Sequence, residues 1–332
     1  MAKEHAQPER NLCANGLGRA FRRDCAAYGK VFPESLARLY VTLGEEEIYV
    51  APEIAAFLTR NTAKIRAMVE ERVMAMNLRG ARGTTAIRRF GFDTLLYLSV
   101  NDEKENDRFV SRAPGAGISV AAVNKTGTFD HEIGHIVTVN GRLDGRPHLG
   151  ECAADAFAAL RHIQRFGGAT DIFRHAPAMT ARAAVFGSFP IHYTSAVFSE
   201  VARLCGEDLR AIASLPLEDT ARLAANIAED SALDDATLAK IGYAFKEVQA
   251  ARLDESLSTA PEKWRAVLKN TVSALRNNRH DDDICRAGRL FLAAPDVRRA
   301  IAEHLINDAR FRHDLATVRQ QKPPRCGGGS AP

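Results

Sequence analysis

Residues 129–139 read Phe-Asp-His-Glu-Ile-Gly-His-Ile-Val-Thr-Val, and within them His131-Glu132-Ile133-Gly134-His135 sets two imidazoles four residues apart with a carboxylate beside the first. On an α-helix, residues four apart lie one above the other on the same face, so both rings can reach one metal ion. Imidazole nitrogens suit Zn²⁺, which they bind at about 2.0 to 2.1 Å. Glu132 would then lean over a zinc-bound water as its general base. Phe129, Ile133, Ile136 and Val137 supply an apolar side for burial. Gly134 inside a helix costs about 1 kcal/mol relative to Ala, which implies that a neighbour packs closely there, a floor beneath the metal being one cause.

A zinc site needs a third protein ligand. Asn140-Gly-Arg-Leu-Asp-Gly-Arg-Pro-His-Leu149 has the composition of a chain reversal, and Glu151-Cys-Ala-Ala-Asp-Ala-Phe-Ala-Ala-Leu160 reads as a second helix with Glu151 on its first turn. Two antiparallel helices joined this way bring Glu151 and Asp155 beside His131 and His135. One carboxylate can bind the metal while the other accepts a hydrogen bond from the free N–H of a ligand histidine. His148, in the turn, is a rival ligand. His162 follows Glu151 by three helical turns, roughly 16 Å at 1.5 Å per residue, too far to share the ion. Thr138 and Gly141 stand where the longer pattern HExxHxxGxxH needs Gly and His, so that arrangement is excluded.

His131-Glu-Ile-Gly-His135 followed by Glu151-x-x-Ala-Asp155-Ala-Phe-Ala158 resembles the HExxH and ExxAD motif pair of gluzincin metallopeptidases, a likeness confined to residues 131–158. The resemblance implies Glu151 as the third zinc ligand, Asp155 as the partner of a ligand histidine, and peptide hydrolysis as the reaction. It departs from the family in the short connection between the motifs.

Farther on, Phe189-Pro-Ile-His-Tyr-Thr-Ser195 reads as a turn entering a helix, with Thr194 or Ser195 as its N-cap. A zinc peptidase needs a donor for the oxyanion that develops on the scissile carbonyl. His192 or Tyr193 could provide it if the loop folds over the metal; an ordinary capping turn with a packed aromatic is the other reading. The isolated pairs His280-Asp281 and His313-Asp314 read as surface charges at helix ends.

The elements around these residues set the rest. The chain has 332 residues, 46% hydrophobic and 26% charged, with aromatics at 7% and one tryptophan, a composition that suits two globular domains or one large domain with an appendage. Lys and Arg nearly balance Asp and Glu, leaving a formal charge of +4, too small and too dispersed for a dedicated nucleic-acid binder. No apolar run approaches the roughly 18 residues of a membrane span. The first residues carry no apolar run of signal-peptide type. The cysteines Cys13, Cys25, Cys152, Cys205, Cys285 and Cys326 form no CxxC pair, which points to reduced cytosolic thiols.

The pattern predicts an arm or a frayed first helix over residues 1–28, a short helix from Phe32 to Leu43, a strand at Ile48–Val50, and a long amphipathic helix from Pro52 to the Gly80 and Gly83 cluster. Strands are expected at Asp93–Val100 and Ile118–Val123, the latter placed to pair with an extended substrate. Helices fill residues 196–318, and 319–332 form a Pro/Gly-rich disordered tail. The expected fold is α+β and mostly helical, a zincin-like catalytic domain over residues 29–195 with a small sheet, followed by a helical domain.

The function this supports is a zinc-dependent endopeptidase acting on a protein or peptide, located in the cytoplasm or exported by a signal-less route as an effector against a host protein. The competing class is a regulatory or binding protein that holds zinc without turnover, against which the intact Glu132 argues. Base deamination needs a PCxxC segment that does not follow here.

Overall fold

The computed structural model describes residues 16–79, 82–90, 93–101, 120–138, 146–186, 190–251, 261–305 and 307–320. These pack into two units, the first formed by residues 1–174 and 196–232 and the second by 175–195 and 233–332.

The first unit opens with α1 (Leu17–Val31), whose Leu17, Phe21, Cys25 and Tyr28 recur at helical spacing and are buried. Of the two readings, arm or frayed first helix, the described part is a helix, and one packed into the core; residues 1–15 lie outside the described residues. A single turn, α2 (Pro33–Leu36), precedes β1 (Leu39–Leu43) and β2 (Glu46–Val50). The expected helix over 32–43 is thus only its first turn. Leu-Tyr-Val-Thr-Leu is rich in β-branched and aromatic side chains, and it becomes a strand because β2 and β4 flank it on both edges. Gly44 supplies the positive φ of 57° that the tight β1–β2 connection requires. The long helix expected from Pro52 is divided into a 3₁₀ turn at Pro52–Ile54, α3 (Ala55–Arg60) and α4 (Thr62–Arg79).

β3 (Gly83–Phe90) and β4 (Asp93–Val100) complete a four-stranded sheet of order β2-β1-β4-β3. β1 runs parallel to β4, and both outer strands run antiparallel to their neighbours. Side chains alternate faces along a strand, so Gly83 and Thr85 look one way and Thr84 the other. Arg72 of α4 donates to Thr84 Oγ1, while Thr85 donates to the carbonyl of Glu132 at 3.3 Å. The sheet therefore lies between α4 and α5 (Val120–Val137). All five residues of β1 are buried, as a central strand covered on both faces must be.

Residues 120–123 are the first turn of α5 and not a strand; 118 and 119 lie outside the described residues. A short apolar run does not separate strand from buried helix by itself, and here Ala122, Val123, Phe129 and Ile133 continue one buried helical face, with Thr126 Oγ1 donating back to Ala122 O at 2.7 Å. Besides β1, the strand missing from the expectation is β3, an outer strand whose Arg88 and Arg89 mask its alternation.

α6 (Pro147–Phe166) packs on α5 and on α9 (Leu217–Ser231). α9 buries Ala221, Ala224, Ile227 and Ala228, side chains small enough to admit a close neighbour. Gln164 of α6 donates to Ile212 O, Leu215 O and Thr220 Oγ1 at 3.4, 3.2 and 2.9 Å. These contacts move the expected boundary at residue 195: 196–232 complete the first unit, and 175–195 belong to the second. α7 (Asp171–Phe186) and α8 (Ser195–Ala213) carry the chain between the two. The second unit is otherwise helical: α10 (Asp235–Ala244), α11 (Lys246–Ala250), α12 (Pro261–Asn277), α13 (Asp282–Ala293), α14 (Pro295–His304) and α15 (Ala309–Gln320) surround a core of Phe245, Leu268, Phe291 and Val297. Asp281 caps α13 by accepting from Ile284 N at 3.1 Å. The expected tail, 319–332, lies outside the described residues from 321 onward. The protein is α+β and mostly helical, as its sequence pattern implies.

His162 lies on α6 with its Nε2 3.0 Å from Thr170 Oγ1, and it is 7% exposed. Burial pushes its pKa down to about 4. The unfolded chain therefore takes up this proton first as pH falls, and the stability tied to the neutral ring is present above about pH 6.5 and is lost on descending to about 4. His162→Gln should flatten the loss of stability between pH 6.5 and 4 by roughly 3 kcal/mol in total relative to wild type. Denaturant titrations at several pH values check this, and parallel pH profiles for the two proteins would refute it.

Candidate metal centre

Gly134 lets the site exist. A Cβ on this residue would lie 2.8 Å from Ala154 Cα and 3.0 Å from Ala154 O, inside contact distance of the α6 backbone. α5 and α6 meet at this point, between the two histidines of one helix and near Glu151 and Asp155 of the other. The neighbour implied by an interior helical glycine is therefore α6 itself.

His131 Nε2 and His135 Nε2 are 3.1 Å apart, and Glu151 reaches them with Oε2 at 3.5 Å from His131 and Oε1 at 3.8 Å from His135. Four ligand atoms placed tetrahedrally about 2.0 to 2.1 Å from zinc are separated by about 3.3 to 3.4 Å. The three spacings bracket that value. Two imidazole nitrogens facing each other beside a carboxylate cannot both present bare lone pairs without a proton or a cation between them, so the donor set fits a metal ion. His131, His135 and Glu151 form such a group among the described residues, each partly open to solvent.

Asp155 completes the arrangement from behind. Its Oδ1 lies 2.7 Å from His131 Nδ1; an N–H donated there leaves Nε2 as the lone-pair nitrogen aimed at the cluster. Burial disfavours a charged His131 ring, yet Asp155 and then Glu151 outweigh it and hold its pKa well above the ordinary imidazole range when no metal is bound. The ring attracts a cation, and in the metal's absence that cation is a proton. The two carboxylates thus differ in position: Glu151 faces both histidines, whereas Asp155 meets His131 on the far side of its ring.

Glu132 points to the sheet. It is 7% exposed, and a Cβ added at Gly83 of β3 would fall 2.9 Å from its Oε1 and 3.2 Å from its Cγ. The sequence pattern gave Gly83 only as a helix terminator; its role in seating Glu132 depends on β3 lying over α5, which no local signal announces. Burial raises the Glu132 pKa, with His131, the Thr85 hydroxyl and Arg72 pulling downward without cancelling it. Such a carboxyl is better matched to accepting and returning a proton near neutrality.

The remaining candidates fall elsewhere. His148 is inside α6, 3% exposed, with Nε2 3.6 Å from Cys152 Sγ, and it is not part of the cluster. His192 ends the 3₁₀ turn Pro190–His192 and is exposed, while Tyr193 is buried in the core of the second unit. A groove of about 710 Å³ between β2 and α4, lined by Tyr40, Val50, Leu58, Ile65 and Glu70, shares no residue with the metal cluster. No protein-family model, curated protein or solved structure matches the chain.

The cluster predicts zinc uptake of about one ion per chain. Glu151→Ala should nearly abolish zinc retention, whereas Asp155→Asn should weaken it by about 10- to 100-fold. Metal analysis after dialysis against a chelator checks both; the reverse ranking would transfer the ligand role to Asp155.

Proposed function

We propose that this protein is a zinc-dependent endopeptidase of gluzincin type, with His131, His135 and Glu151 as metal ligands. The observation that carries the reading is the convergence of His131 Nε2, His135 Nε2 and the Glu151 carboxylate at 3.1, 3.5 and 3.8 Å, with the buried Glu132 next to His131 in the chain. Bound there, zinc would supply Lewis-acid charge that polarises a carbonyl and acidifies water.

The protein's own groups do the remaining work. Glu132 takes the proton from the attacking water at its carboxylate and passes it to the departing amine. Asp155 keeps His131 in one tautomer and one orientation. β3 has a neighbour in the sheet, β4, on only one edge among the described residues, and it passes over Glu132 at Gly83. Its other edge offers backbone N–H and C=O groups that would pair with an extended peptide, the role the sequence reading gave to residues 118–123.

Mapping of new protein N-termini in a cell extract, wild type against Glu132→Gln, tests the activity. The expected result is a set of cleavages produced by the wild type and lost in Glu132→Gln at equal zinc content. A zinc-loaded wild type that cleaves nothing would make the protein a zinc-holding binding protein instead.

Gly83→Ala gives a second check on Glu132. The added methyl presses on Thr128 Cγ2 and on the Glu132 side chain, at 2.5 and 2.9 Å, and on no ligand of the cluster, so zinc content should hold while kcat falls on the order of 10²-fold, the cost of misplacing a catalytic group by about 1 Å. Full turnover in Gly83→Ala would detach Glu132 from the reaction as drawn.

A further inference from the structure

About 100° around α5 from His131, α1, α5 and α6 share a buried polar network. Asp130, the residue before His131, accepts from Tyr28 Oη at 2.8 Å and Arg165 Nη2 at 2.8 Å on Oδ1, and from Arg165 Nε at 2.8 Å on Oδ2. The remaining guanidinium nitrogen, Nη1, lies 2.7 Å from Asp24 Oδ2. Tyr28 Oη in turn accepts from Arg161 Nε at 2.9 Å, with the Arg161 guanidinium over the Tyr28 ring. The side chains of Arg165, Asp130 and Asp24 are 4%, 1% and 8% exposed. The formal charges of Asp24, Asp130, Arg161 and Arg165 cancel.

Stability alone does not account for such a network. Apolar side chains of similar volume would serve a buried position as well or better, because two desolvated charges recover little net energy from each other. What directional bonds add is a fixed geometry. The Gly134–Ala154 contact sets how close α5 and α6 come, but with no side chains to interlock it leaves rotation and sliding free. At the 5–6 Å radius of a helix with its side chains, a rotation of about 10° carries a ligand atom roughly 1 Å, several times the roughly 0.2 Å tolerance of a metal–ligand bond.

We propose that Asp130, held by Arg165 and Tyr28, is a positioning residue for the metal centre: it fixes the rotation of α5 against α6, so that α1, which gives no ligand, sets zinc affinity. The proposal rests on the metal reading above. α5 is then pinned to α6 on two sides of adjacent residues, through Asp130 to Arg165 and through His131 to Asp155.

The test uses the full chain. Tyr28→Phe removes the hydroxyl that bridges Asp130 and Arg161 while keeping the ring against Phe129 and Phe157. Asp24→Asn removes one charge with little change of shape. As a control, Thr42→Val breaks a different buried set, the Thr42 bonds to Tyr97 and Ser99 in the sheet. Zinc affinity is measured by chelator competition on protein shown to be folded, together with the visible spectrum of the Co²⁺-substituted site and the melting of the metal-free form. A dissociation constant referred to the folded metal-free state does not register a general loss of stability.

Tyr28→Phe and Asp24→Asn should each weaken zinc binding about 10-fold, the low end for a residue that orients ligands, and shift the Co²⁺ bands; Thr42→Val should lower melting only. Lowered melting with unchanged affinity and spectrum in Tyr28→Phe and Asp24→Asn overturns the proposal and leaves the metal site standing. A wild type that takes up neither ion overturns both.

Discussion

The contact between Gly134 and Ala154 is the constraint on which the metal cluster depends. A methyl at 134 would sit 2.8 Å from the Ala154 Cα, so two helix backbones approach as closely as backbones can only because one of them lacks a side chain. That approach is what allows the Glu151 carboxylate on α6 to reach two imidazoles on α5. α6 meets the requirement from its own side with Ala153, Ala154 and Ala156, all buried. A second glycine does similar work at the sheet: Gly83 lets β3 pass over α5 with the Glu132 carboxyl beneath it. Two absent side chains, one against a helix and one against a strand, thus seat the ligands and the proposed base.

Charge is distributed around α5 with the same economy. Its metal-facing side carries His131 between two acids, Asp155 and Glu151, and these hold a positive charge on the ring when no metal is present. About 100° around the helix, Asp130 meets Arg165, whose guanidinium pairs with the carboxylates of Asp130 and Asp24. Neighbouring residues on one helix are thereby tied to α6 by bonds of opposite polarity, with the acid on α6 in one case and on α5 in the other. Desolvation makes each of these groups costly alone, and pairing makes each specific in direction.

The first unit is closed by chain that arrives late. α9 returns to α6 through its alanines and through Gln164, whose amide spans Ile212, Leu215 and Thr220. The outer face of α6 is thus covered while its inner face holds Glu151 and Asp155. The sequence break placed at residue 195 followed the change from mixed to purely helical text, whereas packing follows small side chains that admit a neighbour, and those continue to Ala228.

By itself the sequence determined the local and the chemical. Helical spacing of His131 and His135, the carboxylates at 151 and 155, and the continuous apolar run of β4 are all signals carried by a few neighbouring residues, and they read correctly as a strand and a pair of helices that bring His131, His135 and Glu151 together. Tertiary structure decided whatever depends on partners distant in the chain. Leu39–Leu43 is a strand because β2 and β4 flank it, and residues 120–123 are helical because Ala122 and Val123 join the buried face of α5. Gly83 matters through a helix that follows it by dozens of residues, and Asp130 gains its partners from Tyr28 and Arg165 on two other helices. Periodicity reports which side of an element is buried. It carries no information about which element does the burying, and close approach and charge pairing are properties of that second choice.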